Sequence, residues 1–76
     1  MNLPKLKGKL TECDRTYEMC AKAIGISTAS FSDKINGKSK FYIDELQMLG
    51  DFLEMDDEEK FKIFLNWNYR NMIDRS

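Results

Sequence analysis

Apolar residues recur at steps of three and four through most of this 76-residue chain, and this spacing constrains the fold more than any other feature. Leu3, Leu6 and Leu10 form the first such series, and Phe31 with Ile35 belongs to another. Steps of three and four place side chains on one face of an α-helix. No stretch of four or more residues alternates with the period of two that is typical of a half-buried β-strand. The sequence therefore predicts an all-α domain.

Capping residues divide the pattern into five helices. Thr16 and Ser27 are favourable N-caps, and Gly25 stands where a tight turn requires a positive φ. Asp56, followed three residues later by Glu59, resembles a capping box. The predicted helices run from Leu3 to about Cys13, from Tyr17 to Ile24, from about 27 to 36, from Tyr42 or Ile43 through Leu53, and from Asp56 through Leu65, with an extension through Trp67 towards Met72 left open.

The length allows one small domain and is too short for two. An apolar fraction of 42% with 12% aromatic residues is too high for a disordered chain. We find no linker, repeat or low-complexity tract, so residues 1–76 are predicted to form one compact five-helix domain, with 66–76 as a C-terminal extension or association segment. The predicted core consists of Leu6, Leu10, Ile24, Phe31, Ile35, Leu46, Leu49, Phe52 and Phe61.

The residue types present exclude several kinds of chemistry. The chain contains no histidine, which excludes Ser–His and Cys–His nucleophile pairs and histidine zinc ligands. Cys13 and Cys20 are too few for a four-cysteine zinc site and are not spaced as a C-x-x-C redox motif. The acidic run 56–59 suits the positive end of a helix and lacks the alternating ligands of a calcium loop. We expect no enzymatic activity, no metal and no cofactor.

No part of the sequence is apolar enough to cross a membrane, and lysines interrupt the apolar residues of the first ten positions. This pattern predicts a protein without membrane association that lies in the cytoplasm. In that compartment both cysteines are expected to be reduced thiols.

The net charge of −1 conceals two halves of opposite sign. Residues 1–40 contain eight basic and four acidic side chains, a net charge of +4, whereas residues 41–76 contain four basic and nine acidic ones, a net charge of −5. Phosphate binding depends on the charges at the contact more than on the charge of the whole chain. The charge distribution therefore permits nucleic-acid binding by the first half.

The second and third predicted helices are separated only by Gly25-Ile26-Ser27, a spacing typical of a helix-turn-helix. Residues 17–37 read YEMCAKAIGISTASFSDKING, with an A-x-x-x-G-[I/V]-S core that begins at Ala21 and a closing Asn-Gly. This stretch resembles the phage repressor and Cro-like (XRE-type) helix-turn-helix family. The five-helix plan is also similar to the lambda-repressor-like fold, so the resemblance covers about residues 3–65. Lys34 departs from it, because this position is usually apolar in the family.

The resemblance implies an operator-binding role for the third helix and for the loop after it. Groove-facing positions that would contact bases are Thr28, Ala29, Ser32 and Asp33. Phosphate contacts are implied for Tyr17, Ser27, Asn36, Lys38, Ser39 and Lys40. Tyr17 stands where the family commonly has a phosphate-binding glutamine. For the first-helix lysines, Lys5, Lys7 and Lys9, a solvent-exposed face is the interpretation, with contact to flanking DNA backbone as the alternative.

Large side chains near the C-terminus exceed what so small a domain can bury. We expect an association surface here, formed by Phe64, Trp67, Tyr69 and Met72. Proteins of the Cro type usually bind two-fold-symmetric sites as dimers. A homodimer on double-stranded operator DNA is therefore expected.

The leading functional hypothesis is a sequence-specific transcriptional regulator of the phage repressor or Cro type, encoded by a prophage or acting in a bacterial host cell. The alternative is a small phage modulator or antirepressor that acts by binding a larger repressor protein. The small side chains of the third helix and the C-terminal aromatic residues motivate this alternative. An antitoxin-like regulator is a third, weaker hypothesis.

Overall fold

Five α-helices and no strand account for the regular structure of residues 1–64, the part of the chain that the computed structural model describes. The all-α prediction is confirmed for these residues. The helices are α1 (Leu3–Glu12), α2 (Tyr17–Ile24), α3 (Thr28–Ile35), α4 (Ile43–Phe52) and α5 (Asp57–Phe64). The predicted extension towards Met72 and the C-terminal segment 66–76 lie outside the described residues. Within 1–64, no helix combines the length and the apolar character needed to cross a bilayer.

Side-chain oxygens cap the N-terminal ends of the helices where the sequence predicts it. Thr16 Oγ1 accepts the Met19 amide at 3.1 Å, Ser27 Oγ accepts the Ser30 amide at 3.1 Å, and Asp56 Oδ1 accepts the Glu59 amide at 2.8 Å. Each bond satisfies one of the amides that a helix leaves without an internal partner. For α1, Asn2 Oδ1 accepts the Lys5 amide at 3.1 Å.

The chain reverses after α2 through a left-handed residue, as predicted. Gly25 has φ 77° and ψ 31°, a conformation that costs glycine little because it has no Cβ. The turns after α1 and α4 use Asp14 and Glu54 in the same way, each with φ 56°. Two of these three turns therefore place a residue with a side chain where glycine is favoured.

All five helices contribute side chains to the core, in which Phe31 of α3 is 0% exposed. The ring centroids of Tyr17 and Phe31 are 5.5 Å apart in a tilted arrangement. The ring centroids of Phe41 and Phe31 are 5.7 Å apart in an edge-to-face arrangement. Such tilted aromatic pairs contribute beyond their buried area. The other buried apolar residues are Leu6, Leu10, Cys20, Ala21, Ile24, Ile35, Leu46, Leu49, Leu53, Met55, Ile63 and Phe64.

The assignment of Phe61 to the core and of Phe64 to an association surface is wrong. Phe61 is 60% exposed and Phe64 is 2% exposed. The buried positions of α5 are Lys60, Ile63 and Phe64, which share one face at steps of three and four, and Phe61 is turned away from that face. Lys60 can occupy the buried face because its aliphatic stem packs over Gly50 while its ammonium forms an ion pair with Asp51 at 2.9 Å.

Phe52 also differs from its predicted core position. Its side chain is half-buried and packs only at the margin of the core. The guanidinium carbon of Arg15 lies 5.1 Å from the centre of the Phe52 ring, so a cation covers the ring. Leu53, the next residue, is the one that is fully buried at the end of α4.

The two phenylalanines of α5 provide a test of this orientation. Phe64→Ala is expected to lower the free energy of unfolding by about 3–5 kcal/mol, because it leaves a cavity in the core. Phe61→Ala is expected to change it by less than about 0.5 kcal/mol, because the side chain is mostly in solvent. Urea denaturation followed by circular dichroism measures both. Equal losses for the two variants would contradict the orientation of α5.

Candidate nucleic-acid interface

Helices α2 and α3 contact each other closely across the connection Gly25-Ile26-Ser27. The Ile26 amide donates to the Ala21 carbonyl at 3.0 Å, which closes the turn onto the end of α2. Ala21 is buried at 1% exposure, so a small side chain is present where the two helices approach. Ile24 on α2 and Phe31 on α3 are both buried in the shared core. The connection therefore holds α3 at a fixed angle to α2.

One face of α3 is free of the core. Phe31 and Ile35 are 0% exposed, whereas Ala29 and Asp33 on the opposite side are exposed, and so is Thr28 in the first turn. Their predicted exposure is confirmed. Ser32 is half-buried, and its carbonyl and hydroxyl oxygens accept hydrogen bonds from Asn36 Nδ2. The accessible edge of α3 is thus short and carries small polar groups and one carboxylate.

Two of the phosphate-contact candidates are engaged within the fold. The Ser27 hydroxyl accepts the Ser30 amide and donates to Ser30 Oγ at 3.0 Å, so it acts as the N-cap of α3. Tyr17 is half-buried, and its ring packs against Phe31.

The loop after α3 brings the other candidates next to its last turn. The amides of Lys38 and Ser39 both donate to the Asp33 carbonyl, at 2.8 and 3.3 Å. Gly37 has φ 83°, which allows the chain to fold back over the helix end. Lys38, Ser39 and Lys40 are exposed. The loop therefore places the exposed Lys38 at the C-terminal end of α3, with Ser39 and Lys40 following it.

A buried ion pair fixes the far end of this loop. Lys34 Nζ donates to Glu45 Oε1 at 2.7 Å and to the Lys40 carbonyl at 3.1 Å. The same Glu45 oxygen accepts the Tyr42 amide at 2.9 Å and so caps α4. The ammonium also lies 4.8 Å from the centre of the Tyr42 ring. Lys34 therefore joins the last turn of α3, the loop and the first turn of α4.

Lys34 departs from the apolar residue that the family resemblance implies at this position, and its partner was not among the predicted contacts. The signal was present: Glu45 stands three residues after Tyr42, in the position of a capping carboxylate. A lysine at a buried position needs an acidic partner. Both facts are compatible with a Lys34–Glu45 pair, but only the packing of α3 against the start of α4 selects Glu45 as the partner.

Removing one charge of this pair is expected to cost more than removing both. Lys34→Met leaves Glu45 buried without a counter-charge, which typically costs about 3–5 kcal/mol of stability. Lys34→Met combined with Glu45→Gln removes both charges and keeps an oxygen for the Tyr42 amide, so at least half of the loss is expected to be recovered. Urea denaturation of the two variants and the unaltered chain compares them. A double variant no more stable than Lys34→Met alone would show that the unpaired charge is not the cause.

The lysines of the described residues fall into two groups. Lys9, Lys34, Lys60 and Lys62 form ion pairs with carboxylates of the same chain, whereas Lys5, Lys7, Lys22, Lys38 and Lys40 pair with none among residues 1–64. All five lysines of the second group belong to α1, α2 or the loop after α3. Within residues 1–64, the lysine charge that no carboxylate neutralises therefore lies in the half of the chain that contains α3.

The acidic start of α5 takes part in this neutralisation. Asp56 caps the helix, and the Glu59 carboxylate accepts a hydrogen bond from Lys9 Nζ at 2.7 Å. That hydrogen bond raises the pKa of the Lys9 ammonium. Lys9 is thus part of the contact between α1 and α5 and does not lie at the candidate interface. Among residues 1–64, no group of three or more cysteine, aspartate or glutamate side chains is arranged to hold a metal ion.

Asn36 forms two contacts that sequence reasoning did not anticipate. Its Nδ2 donates to the Ser32 carbonyl at 2.8 Å, and its Oδ1 accepts a hydrogen bond from Lys7 Nζ at 2.8 Å. Lys7 comes from α1, so this bond brings the first helix to the end of α3.

Of the predicted association residues, Phe64 is buried, as described above, and Trp67, Tyr69 and Met72 lie outside the described residues.

The two cysteines are free thiols. Burial raises the pKa of the Cys20 thiol to about 11 from its usual 9.0, since the core does not solvate a thiolate. Cys13 is half-buried, and its thiol donates to the Leu53 carbonyl at 3.6 Å.

The thiols are expected to differ in reactivity. At pH 8, Cys13 should react with a maleimide or disulfide reagent in the folded protein, whereas Cys20 should react only after denaturation, because its thiolate is scarce and its sulfur is shielded. Mass spectrometry of labelled protein counts the modified sites, and a Cys13→Ser variant is the control. Rapid labelling of Cys13→Ser under native conditions would contradict this assignment of reactivity.

The raised pKa of the Cys20 thiol also means that the folded state loses stability as the pH rises from 9.0 to about 11.

Comparison of the chain with protein-family models, curated protein sequences and solved structures found no match.

Proposed function

We propose that this chain binds double-stranded DNA as a sequence-specific transcriptional regulator of the phage repressor or Cro type. In this proposal, α2 and α3 are a helix-turn-helix, and α3 enters the major groove of an operator. The observation that carries the proposal is the exposed side of α3 followed directly by a loop with two exposed lysines, Lys38 and Lys40, that no carboxylate in the described residues neutralises. The setting would be the cytoplasm of a bacterial host cell, with the chain acting by occupying its operator.

Electrostatics gives the proposed complex most of its affinity. Lys38 and Lys40 are exposed in the loop that folds back over the end of α3. Each lysine that meets a DNA phosphate releases condensed counterions, which makes binding strongly dependent on salt. The Ser39 hydroxyl is a neutral donor for the same strand. Ser27 and Tyr17 contribute less in this proposal, because the first is engaged as a cap and the second packs on the core.

Base recognition in this proposal is carried by short side chains. Thr28 can donate to or accept from a base edge, Ala29 can pack on a thymine methyl, and Asp33 can accept from cytosine N4. Ser32 is less accessible, because it is half-buried beside Asn36. Short side chains require a close approach of α3 to the base edges. The loop lysines and the exposed N-terminal turn of α3 support such an approach.

A homodimer on a two-fold-symmetric operator completes the proposal. Two copies would place their α3 helices about 34 Å apart, one turn of DNA. The C-terminal half contributes the exposed Phe61 as a candidate for association, and Phe64 is not available because it belongs to the core. Sedimentation of the chain with and without duplex DNA measures the stoichiometry.

The proposal is tested by fluorescence anisotropy with labelled duplexes tiled across the promoter region of the gene itself. The expected result is one duplex that binds more tightly than the others, together with an affinity for all duplexes that falls steeply as salt increases. An affinity that does not depend on salt, or no binding at low salt, would overturn the proposal.

Lys38→Ala is expected to weaken binding to every duplex and to reduce the slope of log affinity against log salt by about one unit. Lys62→Ala is the matched control, because Lys62 is also an exposed lysine but pairs with Glu58 on α5, away from α3. The control is expected to keep the slope of the unaltered chain. The same reduction in both variants would show that only net charge matters.

Thr28→Ala is expected to change which base is preferred at one operator position while leaving the salt slope unchanged, because a base contact carries sequence information and a phosphate contact does not. The change in discrimination is expected to be about 1–3 kcal/mol, or roughly 5- to 150-fold in relative affinity. Competition among duplexes that vary one base pair at a time measures it. An equal loss on all duplexes would assign Thr28 to backbone contact instead.

A second candidate function is that of a modulator which binds a larger repressor protein. The observation that favours it is Phe61, a large aromatic side chain that is 60% exposed on α5. Co-purification of a repressor that is lost in Phe61→Ala, in a chain without affinity for duplex DNA, would favour this function over the first.

A further inference from the structure

Lys7 and Asn36 lie 29 positions apart in the sequence and form a hydrogen bond of 2.8 Å that joins α1 to the end of α3. The bond runs from the Lys7 ammonium to Asn36 Oδ1. Asn36 is itself held in place, because its Nδ2 donates to the Ser32 carbonyl at 2.8 Å and its amide donates to the same carbonyl at 3.1 Å. The carbonyl oxygen of the Asn36 side chain is thus oriented towards α1, and it fixes the position of the Lys7 ammonium.

The neighbourhood of this bond is the candidate interface. A Cβ added at Gly37 would lie 3.4 Å from Leu3 Cδ1, so the N-terminal half of α1 is beside the turn that follows Asn36. Lys38 follows one residue later and is exposed. Lys7 is exposed as well and pairs with no carboxylate among residues 1–64. An ammonium has three N–H donors, and the bond to Asn36 uses one of them.

We propose that the Lys7 ammonium contacts a DNA phosphate and that Asn36 positions this ammonium without contacting the phosphate itself. The inference rests on the proposed DNA-binding function and adds α1 to its contact surface. It also changes the role of Asn36, which the sequence predicted as a phosphate contact. The Asn36 side chain is poorly suited to bind a phosphate, because Oδ1 is an acceptor and Nδ2 already donates to Ser32.

The other two lysines of α1 do not share this position. Lys5 and Lys9 are one helical turn apart and line the groove between α1 and α5, together with Glu12, Glu59 and Lys62. Lys9 is paired with both of these carboxylates. Lys7 is about 200° around the helix axis from Lys5. The three lysines therefore serve two different faces of α1.

Lys5 provides the matched control, because it is an exposed lysine on the same helix with no carboxylate partner among the described residues. The experiment compares Lys7→Ala and Lys5→Ala in anisotropy titrations with the tightest-binding duplex at several salt concentrations. Lys7→Ala is expected to reduce the slope of log affinity against log salt by about 0.9. The factor by which this variant binds more weakly than the unaltered chain is then about threefold to fourfold smaller at roughly 200 mM salt than at roughly 50 mM salt. Lys5→Ala is expected to keep the slope of the unaltered chain. Thermal unfolding by circular dichroism verifies that both variants are folded.

A double-mutant cycle then separates the role of Asn36 from that of Lys7. Asn36→Ala is expected to weaken binding at least about twofold when Lys7 is present and to have no further effect in the Lys7→Ala background. Independent, additive losses would show that Asn36 contacts DNA itself and would overturn the positioning role. Equal salt slopes for Lys7→Ala, Lys5→Ala and the unaltered chain would overturn the Lys7 contact while leaving the proposed function intact. Absence of salt-dependent binding by the unaltered chain would overturn the proposed function and, with it, this inference.

Discussion

The arrangement around α3 depends on one buried ion pair, that between Lys34 and Glu45. The two side chains are 10% and 6% exposed, so each charge needs the other in order to be buried. Through Lys34 the pair holds the Lys40 carbonyl, and through Glu45 it holds the Tyr42 amide. Three consecutive segments, the end of α3, the loop and the start of α4, are tied to one point. The direction in which the loop presents its exposed lysines follows from this constraint.

A second organising feature is the distribution of internal ion pairs. The acidic residues of the second half neutralise lysines at the contacts of α5 with α1 and α4, as Glu59 does for Lys9 and Asp51 does for Lys60. These pairs connect neighbouring helices and neutralise the ammonium groups of Lys9 and Lys60. The lysines beside α3 have no such partners among residues 1–64. A protein with a net charge of −1 can thus present a positive face on one side.

The sequence predicted the helices well because their limits are local. The caps at Thr16, Ser27 and Asp56, and the left-handed Gly25, act within a few residues along the chain, and each is found where the pattern indicates. The buried face of α5 could not be predicted in the same way. Phe61 and Phe64 are both large and apolar, and only the contact of α5 with the rest of the fold decides which of them is buried. Of the candidate interface, the exposure of Ala29 and Asp33 could be predicted because they lie on the face of α3 opposite Phe31, whereas the engagement of Asn36 by Lys7 could not.

The sequence by itself determined the all-α class, the five helices, the tight connection between α2 and α3, and the separation of charge between the two halves. Each depends on residue type and on spacings of a few positions. Tertiary structure alone decided the partner of Lys34, the orientation of α5 and the meeting of α1 with the end of α3. These contacts join residues 11 to 50 positions apart, as for Lys34 with Glu45 and Lys9 with Glu59. Local sequence patterns do not predict which distant side chains come into contact, because these contacts depend on how all the helices pack together.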